Sequence, residues 1–310
     1  MDTKTRTTLP EALRQRIKTT CQTLARLLIA RTVRPVLPLS ARKRIVTHIA
    51  HNALLARSFL CMELLGDLYE KDPTEFHGFL WMNHARGRSY GKTYEISNRF
   101  GDEKLRSSRR ELLMLLQEWL REHNMEPTRD VDSVFDVGCS LGYVLRFLET
   151  QVFTAASCLR GADVDRYAIE AGNAYLHSLG SRVELVAGNV NDLDILMGQR
   201  NYDVVLCCGV LMYLDEAAAT RAVRTMLRYA RVLLGLITVA HPLVDNARLS
   251  RSYVRPEDLG FVHNVDRMVT EAGGHVVYRK WHGPSEAVSY ARTPPPLFIL
   301  ARPEVSPDLG

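Results

Sequence analysis

The stretch Val134-Phe-Asp-Val-Gly-Cys-Ser-Leu-Gly-Tyr143 runs from an apolar strand into a glycine-spaced turn, with an acid just before the turn. Gly138, Ser140 and Gly142 put small residues at alternate positions, so the backbone can turn sharply and approach a ligand that bulk at Cβ would exclude. Asp136 adds a fixed negative charge beneath that turn. The stretch reads as a nucleotide-cofactor loop. A dinucleotide fingerprint needs a glycine three residues after its second one, so that a helix N-terminus faces a pyrophosphate. Here the spacing is Gly-x-Ser-x-Gly preceded by Asp-x, and any tight strand-to-helix turn of an α/β protein could also carry it.

The segments that follow narrow the reading. After a helical stretch from Leu141 to Glu149, residues 157–165 form a strand ending in acids, and Arg166 to Leu179 is helical. Asp163, 25 residues beyond Gly138, is placed to accept both hydroxyls of a ribose, whereas Asp165 suits the cap of the next helix. Residues 182–190 alternate as a third strand. Asp203 opens an apolar run that ends in Tyr213-Leu-Asp215.

These ordered elements resemble motif I and its successors in the class I S-adenosylmethionine (SAM) methyltransferases, over roughly residues 130–300. The resemblance implies a Rossmann-like, doubly wound α/β sheet of seven strands behind an N-terminal helical lobe. It places that lobe and an aromatic lid at 1–125 and the SAM-binding domain at 126–310. It assigns SAM, leaving as S-adenosylhomocysteine, to Asp136, Gly138, Cys139, Ser140, Gly142, Asp163, Val164, Asn189, Val190, Cys208, Gly209 and Tyr213, with Arg88 from the lid. Asn189 stands where the family usually has Asp against adenine. An amide still accepts from the adenine amino group, but its own NH2 then needs a partner.

Composition bounds the rest. The 310 residues are 46% hydrophobic and 24% charged, near globular averages, and the net charge is +5. The six cysteines form no Cys-x-x-Cys pair, which fits reduced thiols in a cytoplasmic protein and no metal. No uncharged run reaches the roughly 20 apolar residues of a membrane span, and no secretory signal opens the chain. Residues 1–58 hold twelve Lys or Arg against two acids, a basic lobe suited to nucleic acid, anionic lipid or an acidic substrate.

Within that lobe, Glu11 to Val33 is an amphipathic helix, and Ser40 would cap a second helix from about Ala41 to Tyr69. The pair would pack on each other or on a partner subunit, as in a homodimer. Residues 71–101 crowd aromatics among basic side chains. They form either a lid from which Trp81, Arg86, Arg88 or Tyr94 contacts SAM, or an aromatic minicore. Ser107 to His123 reads as a plain amphipathic helix.

Methyl transfer to an oxygen of high pKa needs alignment and a nearby base. His241 closes the fifth strand, and Asp245 in the same loop would orient its imidazole. His263 is the second candidate, and Tyr213 a wall of the methyl pocket. An insertion over 246–263 carries Arg248, Arg251, Tyr253 and Arg255, which suit an anionic acceptor. Bacterial methyltransferases of polysaccharide or secondary-metabolite pathways look similar, so the acceptor expected is a small molecule or glycan hydroxyl. The alternatives are an RNA methyltransferase, suggested by the basic lobe, and a non-catalytic SAM-binding scaffold.

Overall fold

A computed structural model describes residues 20, 23–25, 27–50, 59–86, 105, 107–255, 259–281 and 295–304. The chain divides into two compact units, Met1–Gly91 and Lys92–Gly310.

The first unit is helical, with α1 (Leu39–Ala50), α2 (Phe59–Leu64), α3 (Gly66–Lys71) and α4 (Pro73–Arg86). Pro38 opens α1 where Ser40 was expected to cap it, since the Ala41 and Arg42 amides both donate to the Pro38 carbonyl. The long helix expected to Tyr69 is interrupted at Leu65, whose backbone leaves the helical region. Arg34 packs beside the interruption. A Cβ on Gly66 would lie 2.0 Å from the Arg34 guanidinium, which donates to the Glu63 carbonyl at 2.7 Å.

Basic residues counted toward a free cationic surface are partly spent inside this unit. Arg42 is buried and grips Asp67 with two hydrogen bonds, at 2.5 and 2.6 Å, and Lys43 pairs with Glu75. Tyr69, Phe76 and His77 meet edge to face at 5.1–6.0 Å, so this part of the aromatic segment is a minicore. Most of the first amphipathic helix lies outside the described residues, as do Arg88 and Tyr94 and the Arg86 side chain.

The second unit begins its described part with α5 (Ser107–Glu122) and α6 (Pro127–Asp130). It continues with β1 (Ser133–Val137), α7 (Tyr143–Phe147), β2 (Cys158–Asp163), α8 (Arg166–Ser178), β3 (Val183–Ala187), α9 (Leu193–Met197) and β4 (Tyr202–Cys208). Then come α10 (Glu216–Tyr229), β5 (Ala230–Val239), the short β6 (Tyr253–Val254) and β7 (Phe261–Val262), α11 (Val265–Glu271), β8 (Gly274–Trp281) and β9 (Pro296–Pro303). Helix α5, grouped with the N-terminal lobe on sequence grounds, packs Leu112, Leu116 and Leu120 into the sheet core.

The sheet order is β3-β2-β1-β4-β5-β9-β8. The first five strands are parallel, and β9 is antiparallel to both neighbours. Alternate residues feed two cores. Val134, Val204 and Leu206 face α5, α7 and α8, while Phe135, Val205 and Cys207 face α9, α10 and α11. Burial on both faces explains why the central strands read as unbroken apolar runs.

Asp203 ties the amino ends of three strands. One carboxylate oxygen accepts from the Asp132 and Ser133 amides and the Ser133 hydroxyl at 2.9–3.0 Å, and the other holds Arg231. This acid, which began the fourth motif on sequence grounds, is therefore remote from the carboxyl ends where such folds bind ligands. Among the described residues no helix is long and apolar enough to cross a membrane.

Candidate functional site at the carboxyl ends of the strands

Between β1 and α7 the chain passes through three left-handed residues in alternation: Gly138 (φ 80°), Ser140 (φ 52°) and Gly142 (φ 79°). Glycine tolerates this region freely, and Ser140 is held in it by its surroundings. A Cβ on Gly138 would sit 2.2 Å from Val210 in the loop after β4, so the two loops approach as closely as a glycine permits. Asp163 locks the turn. Its Oδ2 accepts from the Ser140 amide and its Oδ1 from the Asp165 amide, both at 2.9 Å. Each oxygen keeps a second lone pair, so Asp163 can still receive hydroxyls. Asp165 caps α8 through the Tyr167 amide, as expected.

Asp136 lies under the turn at 2% exposure. Burial pushes its carboxyl up to about 7; the Arg109 charge works against that rise and the nearby Asp163 adds to it. Burial raises the Asp163 carboxyl and the Cys139 thiol as well. It lifts the Cys208 thiol to about 12, with Asp136 adding and Arg109 opposing. The site thus holds acids that pay for desolvation and would gain from a bound cation.

Arg109 was not picked out from the sequence. It belongs to α5, its guanidinium lies 5.2 Å from the centre of the Tyr143 ring, and its charge acts on both Asp136 and Cys208. Its only sequence signal was a polar stretch opening an otherwise amphipathic helix.

Asn189 follows β3, exposed, and its Oδ1 accepts from the Asn191 amide at 2.9 Å, capping a single turn over Val190–Asp192. Its oxygen is therefore already engaged. Val164 and Val190 are half-buried beside these ends, and Gly209 (φ 80°) leads from Cys208 toward the half-buried Tyr213. A Cβ on Gly209 would meet nothing within 4 Å. The space beside it is open.

The proposed His241–Asp245 couple is not formed. Asp245 turns to Arg279 on β8, whose guanidinium takes both carboxylate oxygens, and accepts from the Ala247 amide at 2.9 Å. Burial works to raise the Asp245 carboxyl, but these bonds leave it below its ordinary value. His241 is held instead by the chain after it: the Leu243 and Val244 amides donate to its Nδ1 at 3.2 and 3.1 Å.

His263 has both ring nitrogens engaged. It is 0% exposed, with Nε2 on the Leu211 carbonyl at 2.9 Å and Nδ1 on the Ser252 hydroxyl at 2.7 Å. Burial lowers its pKa. It fastens the post-β4 loop to the β6–β7 hairpin. Asn246, missed in the sequence, completes this framework. Its Oδ1 accepts from the His241 amide, and its NH2 donates to the Val239 and His263 carbonyls, all within 3.0 Å.

Among the described residues no three His, Cys, Asp or Glu side chains converge as a metal site. The groups present are chemically compatible with SAM: Gly209 borders open space, Asp163 has acceptor oxygens at the strand ends, and the buried Asp136 and the Arg109 guanidinium carry opposite charges.

Residues 134–232 match the family described as Methyltransferase domain. No curated protein matches the chain significantly. Among solved structures, a SAM-dependent methyltransferase from Clostridium acetobutylicum is 10% identical (TM-score 0.47; 70% of this chain and 99% of that one covered). Magnesium protoporphyrin IX methyltransferase from Synechocystis with bound SAM is 11% identical (TM-score 0.48; 73% and 97% covered). The 1,6-didemethyltoxoflavin-N1-methyltransferase from Burkholderia thailandensis, with S-adenosylhomocysteine bound, is 16% identical (TM-score 0.48; 69% and 84% covered). Residues 134–232, which hold the glycine turn and strands β1 to β4, thus match a methyltransferase domain.

Proposed function

We propose that this protein methylates an oxygen of a small-molecule or glycan acceptor, with SAM seated over the carboxyl ends of β1, β2 and β4. The observation that carries the reading is the left-handed Gly138–Gly142 turn, closed by Asp163 and roofing the buried acid Asp136. SAM supplies a methyl carbon already activated by its sulfonium, so the chain's task is alignment.

In this reading Asp163 holds the ribose, Asn189 and Val190 border the adenine, Asp136 faces the amino-acid ammonium and Arg109 its carboxylate. Val164, Cys139, Cys208 and Gly209 line the cavity. The acceptor approaches from the β4–β5 side, past Tyr213 and His241, beneath the β6–β7 hairpin that Asn246 and His263 fix. The arginines of the insertion favour an acceptor bearing negative charge. The described cysteines 61, 139, 158, 207 and 208 are not joined in disulfides, in keeping with a reducing, cytoplasmic setting.

Incubating the protein with methyl-tritiated SAM and a deproteinised bacterial extract tests the assignment. Label should pass to small molecules or oligosaccharides. Label confined to added RNA, or S-adenosylhomocysteine formation with no acceptor labelled, would overturn it.

A further inference from the structure

The tautomer of His241 constrains what the acceptor can be. The ring stands at the tip of β5 at 9% exposure, edge-on to Tyr253 with centroids 4.6 Å apart. Two backbone amides point at Nδ1. An amide only donates, so Nδ1 must carry its lone pair, and the proton of the neutral ring sits on Nε2. A flipped ring would leave both amides facing carbon. Nε2 has no hydrogen-bond partner among the described residues, so it offers an N–H to whatever enters beside it. It cannot take a proton there.

Other acids and imidazoles described at this end each have a partner. Asp215 caps α10 through the Ala218 amide at 2.7 Å, and Glu216 accepts from the Ser252 amide and holds Arg267. Asp245 holds Arg279 and His263 has both nitrogens bonded. Arg248 and Arg251 stay exposed in the same loop. The end therefore presents the His241 Nε2–H donor and two exposed guanidinium groups, while these acids and His263 each already have a partner.

The geometry points to an acceptor that is already an oxyanion at neutral pH, a carboxylate, which His241 Nε2–H holds by a hydrogen bond and does not deprotonate. This rests on the methyl-transfer reading above. The carboxylate oxygen forms the new bond to the methyl carbon, the carbon–sulfur bond breaks, and its electron pair returns to sulfur. A methyl ester and S-adenosylhomocysteine result, the charges cancel, and no proton is released.

The test uses the full chain, 15N-labelled at histidine and saturated with S-adenosylhomocysteine. Failure of that ligand to bind would sink the methyl-transfer reading, separately from this proposal. With it bound, the His241 15N shifts should report a bare Nδ1 and a protonated Nε2. Benzoate should move the Nε2–H signal and bind at least about tenfold more tightly than benzyl alcohol, the margin expected of a hydrogen bond to a charged group. His241→Gln can place an NH2 where Nε2–H stood and should keep benzoate affinity within about threefold, whereas His241→Ala should lose about tenfold. A protonated Nδ1, equal binding of benzyl alcohol, or a Gln variant no better than Ala would overturn the proposal.

Discussion

Asp136→Asn should make the protein more resistant to unfolding at alkaline pH while weakening its hold on S-adenosylhomocysteine. The folded carboxyl is raised to about 7 from an ordinary 3.8, so the native state binds this proton more tightly than the unfolded chain does. Stability contributed by that proton is complete at low pH and is lost as pH climbs through 7. Between pH 5 and 8 the two proton affinities imply a loss of about 2.5 kcal/mol, which the Asn variant does not share.

Urea unfolding at pH 5, 6, 7 and 8 measures this, as the difference between wild type and variant at each pH. The ligand supplies the second arm. An ammonium beside Asp136 favours the carboxylate, so wild-type affinity for S-adenosylhomocysteine should rise by up to roughly tenfold per pH unit from 5 to 7 and level off above. The variant should bind weakly with little pH dependence. Parallel stability profiles for the two proteins would refute the buried-acid reasoning. A parallel rise of affinity in both would show that another group carries the charge.

Three further outcomes follow from the same geometry. Gly138→Ala forces a Cβ to within 2.2 Å of Val210 at a positive φ, and should lower stability by about 2 kcal/mol or more and abolish cofactor binding, read by thermal melts with and without S-adenosylhomocysteine. Arg109→Met removes the positive charge beside Asp136. It should weaken S-adenosylhomocysteine about tenfold or more and move the pH midpoint of binding upward, as calorimetry would report. Asp245→Ala breaks the Arg279 pair and a turn cap, costing about 1–2 kcal/mol in urea unfolding while turnover stays within about threefold. A loss of turnover of a hundredfold or more there would restore the His–Asp couple.

The sheet was legible because each central strand is covered on both faces. Runs such as Val204-Val-Leu-Cys have no amphipathic ambiguity, and glycines or acids stand where the chain leaves the sheet. The turn after β1 was legible for a related reason, since glycines stand at two of its three left-handed positions. Partner choice was not legible. Asp245 lies four residues from His241 but bonds Arg279, 34 residues away, because the turn after β5 aims its carboxylate at β8. His241 is satisfied by amides of its own loop, which carry no side-chain signature. Arg109 escaped notice because nothing in an amphipathic helix marks which polar residue reaches over the strand ends. The break at Leu65 was hidden because its apolar spacing continues, and the close packing of Arg34 on Gly66 beside it has no local sequence signature.

Calorimetric titration of the purified chain with S-adenosylhomocysteine, and separately with NAD, tests the central claim most directly. A single saturable site of about micromolar dissociation constant for S-adenosylhomocysteine, with no heat from NAD, is the predicted result. Silence up to about 1 mM S-adenosylhomocysteine, or binding of NAD in its place, would contradict the assignment of this strand-end site to a methyl donor.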